Sequence, residues 1–321
     1  DKNYLLIFGS WWNLLVLVAG IALFVLGFYV WNKAFQSIKN GHRLAHIIGA
    51  LVLILGGVIF VTGWGMMYET GNKDFLNSLI VTVYYALGTV PAEIILGLVL
   101  AYILYQDIIG KEAFRIIYFL PYITPSISTA VVFQIIFSSR ETSLANRLIG
   151  LFGADPLKWR FEPKPVLNLL GLDVSGLAGG PSLALLTIIL YGIWSFVGYN
   201  TVIFLSGLGN IPKEIYEAAE IDGGSKWDRF WHITVPMISP VTFYLTLIGF
   251  IGTFKAFNHI YVMRTPSAQN TVVTTSLLVF DRFYKANQYG VATAQAIVLF
   301  VIILGLTLAQ NKILGERVFY G

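Results

Sequence analysis

Seven apolar stretches divide this chain, near residues 5–30, 44–68, 75–104, 114–138, 182–208, 240–262 and 288–310. Each is long enough to cross a hydrocarbon core of about 30 Å, which takes roughly 20 helical residues. Inside lipid the backbone must satisfy its own hydrogen bonds, so runs of this length read as helices. Composition agrees: 56% of the 321 residues are hydrophobic, 12% are charged, and the mean hydropathy is +0.73. A soluble domain carries about a quarter charged residues. The expected fold class is an all-α polytopic membrane protein in the lipid bilayer, with about seven transmembrane helices in this chain. Trp11, Trp12, Trp31 and Trp64 fall near the ends of the first two spans, where amphipathic rings settle.

Several function classes drop out. The net charge of +4 is spread along the chain with no basic stripe, so no nucleic-acid partner is expected. The absence of cysteine excludes disulfides and thiolate metal sites. No Gly-x4-Gly-Lys-Ser/Thr loop occurs, so ATP is not expected to bind here. Nor is there a Gly-x-Ser-x-Gly elbow or a pair of carboxylates arranged for catalysis. His42, His46, His232 and His259 form no plausible metal pair and read as interfacial polar side chains. The chain is expected to be no enzyme, with no metal and no cofactor of its own.

One polar stretch interrupts the apolar pattern, Pro212 to Pro236, reading PKEIYEAAEIDGGSKWDRFWHITVP. It is too charged to cross a bilayer. Pro212 suits the first turn of a helix, because its φ is already set and its missing N–H is not needed there. Ile215, Ala218, Ala219 and Asp222 follow at helical spacing, and Gly223-Gly224 supplies a stop. Ser225 can cap a second helix, with Asp228 as a shorter stand-in for the usual capping-box Glu. The expectation is helix, glycine elbow, helix.

This pattern resembles the cytoplasmic loop of ABC importer permeases. Their signature is Glu-Ala-Ala, a Gly after three residues, and Ile-x-Leu-Pro after nine more. Glu217, Ala218, Ala219, Gly223, Ile233 and Pro236 fall in that register, with Val235 in the leucine place. The extended form, with Tyr216, Ile221 and Asp222, is most similar to the carbohydrate branch. In layout the chain resembles the larger permease of maltose importers without its bulky outer domain. The likeness covers about Phe75 to Gly321; residues 1–68, two N-terminal helices, match only in layout.

The resemblance implies a role and a set of partners. The chain would be the permease of a binding-protein-dependent importer of sugars or oligosaccharides, in a prokaryotic plasma (inner) membrane. Its partners would be a second permease, giving a heterodimer, two cytoplasmic ATPase subunits that hold ATP and magnesium, and an external solute-binding protein. Glu217, Ala218, Ala219, Asp222, Gly223, Ile233 and Pro236 would couple to the ATPase, Glu217 through a charged contact. The alternatives are an importer for a non-sugar solute and a secondary transporter acting alone. Internal repeats and ion-coupling carboxylates, which the last would need, are not seen apart from Glu93.

Topology follows from the loop. With 209–239 cytoplasmic, loops 31–43 and 105–113 lie inside, and 69–74, 139–181 and 263–287 outside. Lys33, Lys39 and Arg43 agree with that orientation, though charge bias over the whole chain does not set it. An odd span count with Asp1 outside leads to the expectation of an eighth helix in the full protein. The outer loop 139–181 has two readings: contact with a binding protein through Trp159, Arg160 and Phe161, or packing on its own bundle. Its 142–150 segment suits a short helix.

A solute path is visible within the spans. Thr187, Tyr191, Ser195 and Tyr199 recur every fourth residue with Asn200 beside them, and Thr246, Thr253, Lys255, Asn258, Ser126, Gln134 and Gln295 add polar groups elsewhere. Hydroxyls and aromatic rings suit a sugar, offering donors, acceptors and flat faces. The expected lining is Gln134, Tyr191, Ser195, Tyr199, Asn200, Thr253 and Lys255; helix–helix hydrogen bonding is the other reading of such a stripe. Two charges, Glu93 and Lys255, fall within spans, where a lone charge costs about 3 kcal/mol on insertion scales. Either they pair, or Lys255 stands at the cavity wall and favours an acidic sugar. Pro91, Pro121 and Pro125 mark expected kinks.

Overall fold

The computed structural model describes residues 7–36, 43–106, 109–174 and 179–315. Lys39 and His42, expected in the first inner loop, lie outside the described residues, as do the side chains of Lys33 and Arg43. The described chain is almost wholly helical. The principal helices are α1 (Trp11–Gln36), α2 (Arg43–Thr70), α3 (Lys73–Tyr105), α4 (Lys111–Ile123), α5 (Ser126–Ile136) and α6 (Leu144–Gly150). They continue with α7 (Leu183–Gly209), α8 (Lys213–Ile221), α9 (Lys226–Arg229), α10 (Ser239–Phe254), α11 (Asn258–Met263) and α12 (Tyr289–Gly315). Five of these, α1, α2, α3, α7 and α12, contain apolar segments long enough to cross a membrane unaided, and the total rises to as many as seven if each of two bent pairs is one span.

The chain divides into two compact units, residues 1–77 with 279–297, and residues 78–278 with 298–321. In the first, α1 and α2 form a hairpin whose backbones touch. A Cβ added at Gly20 would lie 2.5 Å from the Phe60 nitrogen, and one at Gly56 the same distance from the Phe24 nitrogen. Lipid offers little hydrophobic drive for joining helices, so close backbone approach at small residues supplies the attraction through dispersion. At the open end Asn13 Nδ2 donates to Thr70 Oγ1 at 2.8 Å. Arg282 pairs with Asp74 in the same unit.

The second unit is built around α7. Half of the most apolar window of this helix is buried, the largest share among the five long spans. Toward its start Leu185, Ile188 and Tyr191 pack with Tyr85, Phe133, Ile260 and Met263. Toward its end Phe204 and Leu208 pack with Val90, Ile94, Ile238 and Leu245. Gly198 lets α4 approach most closely: a Cβ there would lie 1.7 Å from the Tyr118 carbonyl oxygen.

Two expected spans are not single helices. The 114–138 stretch breaks between α4 and α5, which meet at 99°. Thr124 is extended (ψ 140°), as a residue before proline is driven to be, and Pro125 then opens α5. The 240–262 stretch ends its helix at Phe254; Phe257, at φ −138° and ψ −64°, separates it from α11. Of the three expected kinks only that at Pro125 is a break, since Pro91 and Pro121 lie inside continuous helices.

The 139–181 loop packs on its own bundle at Trp159. Its indole is buried, sits edge-on to Phe137 at 5.1 Å, and donates from Nε1 to Asn146 Oδ1 at 2.7 Å. Thr265 Oγ1 donates to the Arg160 carbonyl at 2.9 Å. Trp159 is therefore an anchor of the loop and not a free contact for a second protein. The short helix expected at 142–150 is present as α6, capped by Ser143.

Candidate functional site

The break between α4 and α5 opens one wall of a cavity of about 340 Å³ in the second unit, within the range of small-solute sites. Pro121, Tyr122, Thr124 and Ser126 face it from the break. Irregular backbone at membrane depth is tolerated where it lines such a space. Tyr191, Ser195, Phe196, Tyr199 and Asn200 line it from α7, and Tyr85 and Glu93 from α3. Leu245 and Thr253 of α10, then Phe257, Asn258 and His259, close the far side.

The walls combine flat rings with polar atoms. Tyr122 stacks on Tyr199, with centroids 4.7 Å apart and planes at 24°. Tyr191 stacks on His259 at 4.8 Å, and His259 Nε2 lies 2.8 Å from the Tyr85 hydroxyl. His259 is thus a buried part of the wall and not the interfacial side chain the sequence suggested. Some hydroxyls are spoken for: Tyr191 donates to the Ser126 carbonyl at 3.0 Å, and Thr253 to the Gly249 carbonyl at 3.0 Å. Others are not. Ser195 Oγ makes no hydrogen bond, and Glu93 Oε2 and Asn200 Nδ2 have no partner outside their own two side chains, although the residues are only 6%, 4% and 4% exposed. Asn200 lies beside the Glu93 carboxyl.

Of the expected lining, Tyr191, Ser195, Tyr199, Asn200 and Thr253 are brought together in this cavity, and Gln134 and Lys255 are not. Gln134 Nε2 is used up by the Val262 carbonyl. Lys255 is exposed at the C-terminal cap of α10, where the helix ends sooner than expected. Among the described ion pairs none joins it to Glu93, so the expected pairing of the two does not occur. Thr187 is buried and donates to the Leu183 carbonyl at 3.0 Å, a helix-internal role. Sequence reasoning missed Tyr85, Tyr122 and Phe257. Only Tyr122, one residue past Pro121 and three before Pro125, carried a signal, its place beside a break.

The polar stretch folds as helix, elbow, helix. Pro212 stands one position before α8 instead of inside it, and Gly223 takes φ +82°, which favours glycine. The Ser225 side chain accepts from the Asp228 amide while Asp228 accepts from the Ser225 amide at 3.0 Å, completing the capping box. Arg229 bridges back to Glu220 at 2.7 Å. The Tyr216 hydroxyl lies 3.0 Å from Thr234 Oγ1, and burial pushes its phenol above the ordinary range, keeping it a neutral partner. Glu217, Ala218, Asp222, Gly223 and Pro236 are exposed, and Ala219 and Ile233 half-buried. Five π-helical residues, Phe230–Thr234, and one turn at Val235–Met237 carry the chain into α10, which is bent 60° from the elbow's second half.

A bundle of apolar spans, a solute-sized cavity at a broken helix and a polar elbow leading into the cavity wall define a membrane transport component. The chain belongs to the family of binding-protein-dependent transport system inner membrane components, which matches residues 93–319, and it is an integral, multi-pass ABC transporter permease. It is 31% identical over 265 residues to the arabinooligosaccharides transport system permease protein AraP of Bacillus subtilis (strain 168), covering 82% of this chain and 79% of that one. It is 30% identical over 241 residues to the trehalose/maltose transport system permease protein MalF of Thermococcus litoralis, covering 75% of each. The multiple sugar-binding transport system permease protein MsmF of Streptococcus mutans is 26% identical over 309 residues, 96% of each. A bacterial alginate ABC transporter, crystallised with an alginate pentasaccharide-bound periplasmic protein, shares the fold: TM-score 0.64, 19% identity, 88% of this chain and 96% of that one.

Proposed function

We propose that this chain is the membrane permease of an ATP-driven, binding-protein-dependent importer of sugars or oligosaccharides. The observation that carries the reading is the cavity, where stacked Tyr122 and Tyr199 adjoin the uncommitted Ser195 hydroxyl and the Asn200 amide. The family membership and the sugar permeases among the relatives support it. A sugar ring offers C–H faces to aromatic rings and hydroxyls to amides and carboxyls, so each wall has a matching part of the solute.

Coupling runs through the elbow. Ile221, Trp227 and Trp231 are 86%, 71% and 57% exposed on a segment too charged to enter lipid. Such apolar groups suit a protein groove. The elbow docks in a cleft of an ATPase subunit, Glu217 makes a charged contact there, and Ala218 and Gly223 let backbones approach. ATP and magnesium reside on that subunit. When two ATPases close, they push α8 and α9, held together by the Glu220–Arg229 pair, and the motion passes through Val235–Met237 into α10. Because Thr253 and Leu245 of α10 line the cavity, its opening alternates between the two faces of the membrane. A second permease completes the translocation path, and an external binding protein delivers the solute.

The test is purification of the detergent-solubilised complex with wild-type chain and with Glu217→Arg. Wild type should bring down an ATPase whose hydrolysis rises with a loaded binding protein, and the variant should lose it. A wild-type chain that brings down no ATPase overturns the importer reading.

A further inference from the structure

We propose that the elbow has a second output besides α10: Phe230 and Tyr102 form a strut that carries its motion into α3. This rests on the importer reading and adds two positioning residues to it. Phe230, first of the five π-helical residues, sets its ring edge-on to that of Tyr102, with centroids 4.9 Å apart and planes at 70°. Tyr102 stands near the end of α3, an unbroken helix of 33 residues that brings Tyr85 and Glu93 to the cavity wall. A second contact runs alongside. Tyr216 of α8 packs on the cluster that includes Ile94 and Ala101 of α3, and its hydroxyl meets the buried Thr234. Trp227 and Trp231 flank Phe230, with centroids 6.2 and 5.2 Å from its own, yet both remain exposed. One short segment thus keeps two rings for a partner and lays a third on α3.

The backbone route into α10 is the softer of the two. A π-helical turn reaches back five residues for its hydrogen bonds, a rare geometry that occurs as single turns, often at functional positions. Here the Val235 amide reaches the Phe230 carbonyl, and Pro236, next in line, has no N–H to give. The chain then bends by 60° into α10. A push delivered through such a joint is partly taken up by bending it. α3 has no joint of that kind, since Pro91 lies inside it without breaking it. Only about 13 Å of helix separates Tyr102 from Glu93 at 1.5 Å of rise per residue, so a shift at Tyr102 arrives at the cavity little diminished. Close-packed side chains transmit displacement because their packing is hard to compress. When the elbow is pushed, α3 therefore moves with it, and the Tyr85 and Glu93 wall shifts in step with Leu245 and Thr253 of α10.

The intact complex, reconstituted in liposomes with its ATPase subunits and binding protein, would be assayed for uptake of radiolabelled arabinotriose and maltotriose per ATP hydrolysed. Tyr102→Ala and Phe230→Ala should keep the ATPase bound and hydrolysing, and lower uptake per ATP about two- to tenfold, the range that the loss of one aromatic pair corresponds to. The double variant should be no worse than either single one, as two residues acting through one contact require. Tyr102→Phe, which keeps the ring, should restore the wild-type ratio. A role confined to folding would lower yield and melting temperature and leave uptake per ATP unchanged. Because the chain has no cysteine of its own, Tyr102→Cys with Phe230→Cys places a single thiol pair at the strut. Reduced, that variant should be uncoupled like the alanine ones; joined by a short bismaleimide, it should regain coupling. Where the alanine variants do not reach the membrane, the cross-link decides alone. A wild-type ratio in both alanine variants overturns the strut, and so does a cross-link that arrests uptake or leaves it uncoupled. Those results leave the importer standing, whereas a wild-type complex that carries neither sugar or brings down no ATPase fails the sugar-importer reading itself, and the strut falls with it.

Discussion

Gly198 shows what one atom costs in this bundle. A Cβ at that position would lie 1.7 Å from the Tyr118 carbonyl oxygen, a backbone atom that no rotamer change can move aside. Gly198→Ala should push α4 off α7 and destabilise the chain by about 1–3 kcal/mol, the usual cost of overpacking. Gly305→Ala, where a Cβ meets nothing within 4 Å, should leave stability unchanged or raise it slightly. Thermal melting of the two purified variants in one detergent checks the contrast; equal melting points would mean that the α4–α7 contact is soft. Residue-level chemistry was partly legible beforehand. The Ser225–Asp228 cap and the Gly223 stop follow from local backbone rules, and they appear as expected. Gln134 and Lys255 did not follow, because a polar residue in a span announces that it needs a partner or water and does not say on which side. Trp159 could not be assigned between its two readings, and the burial of His259 went unseen, for a related reason, since burial of an amphipathic ring depends on what the rest of the chain brings over it.

Among the elements, the elbow is the one whose parts cannot stand alone. Helices of nine and four residues, α8 and α9, are far below the length at which an isolated helix persists in water. The capping box, the Glu220–Arg229 pair and the Tyr216–Thr234 contact hold them in register. Ser225→Ala removes the cap and should cost about 0.5–2 kcal/mol locally. The expected result is faster amide exchange across 213–234 and weaker solute-stimulated ATP hydrolysis by the complex, with the melting of the spans unchanged. Slowed exchange, or exchange unchanged with full stimulation, would remove the cap from the coupling route. The existence of the elbow was readable because its charges and glycines interrupt an apolar pattern. The 99° break between α4 and α5 was readable only as a kink at Pro125, since both halves are equally apolar and hydrophobic pattern carries no direction. The early end of α10 left no mark at all in the 240–262 stretch.

At the scale of the whole molecule the count of spans was the most legible feature, because length and apolarity alone set it. The division of the chain was less so: a boundary near 68–75 was expected, but 279–297 belongs with residues 1–77. Pairings between segments so distant in sequence leave no local trace. Orientation is a property of the whole chain that the absence of cysteine makes simple to test. With 139–181 outside and 209–239 inside, Glu141→Cys should react with a membrane-impermeant maleimide in intact cells. Lys226→Cys should react only after the cells are opened. The reverse pattern would invert the topology and place the elbow where no cytoplasmic ATPase can reach it.

The broken span also bears on how the protein is made. At about 1.5 Å of rise per residue, the 13 residues of α4 reach about 20 Å and the 11 of α5 about 17 Å. Neither bridges the roughly 30 Å of hydrocarbon by itself. As the chain emerges during synthesis, these two segments have no stable seat in the bilayer until α7 follows, some fifty residues later, to receive α4 against Gly198 and α5 against Tyr191. The same interruption that hollows out the cavity therefore imposes an order of insertion, in which a later helix must arrive before an earlier one can settle.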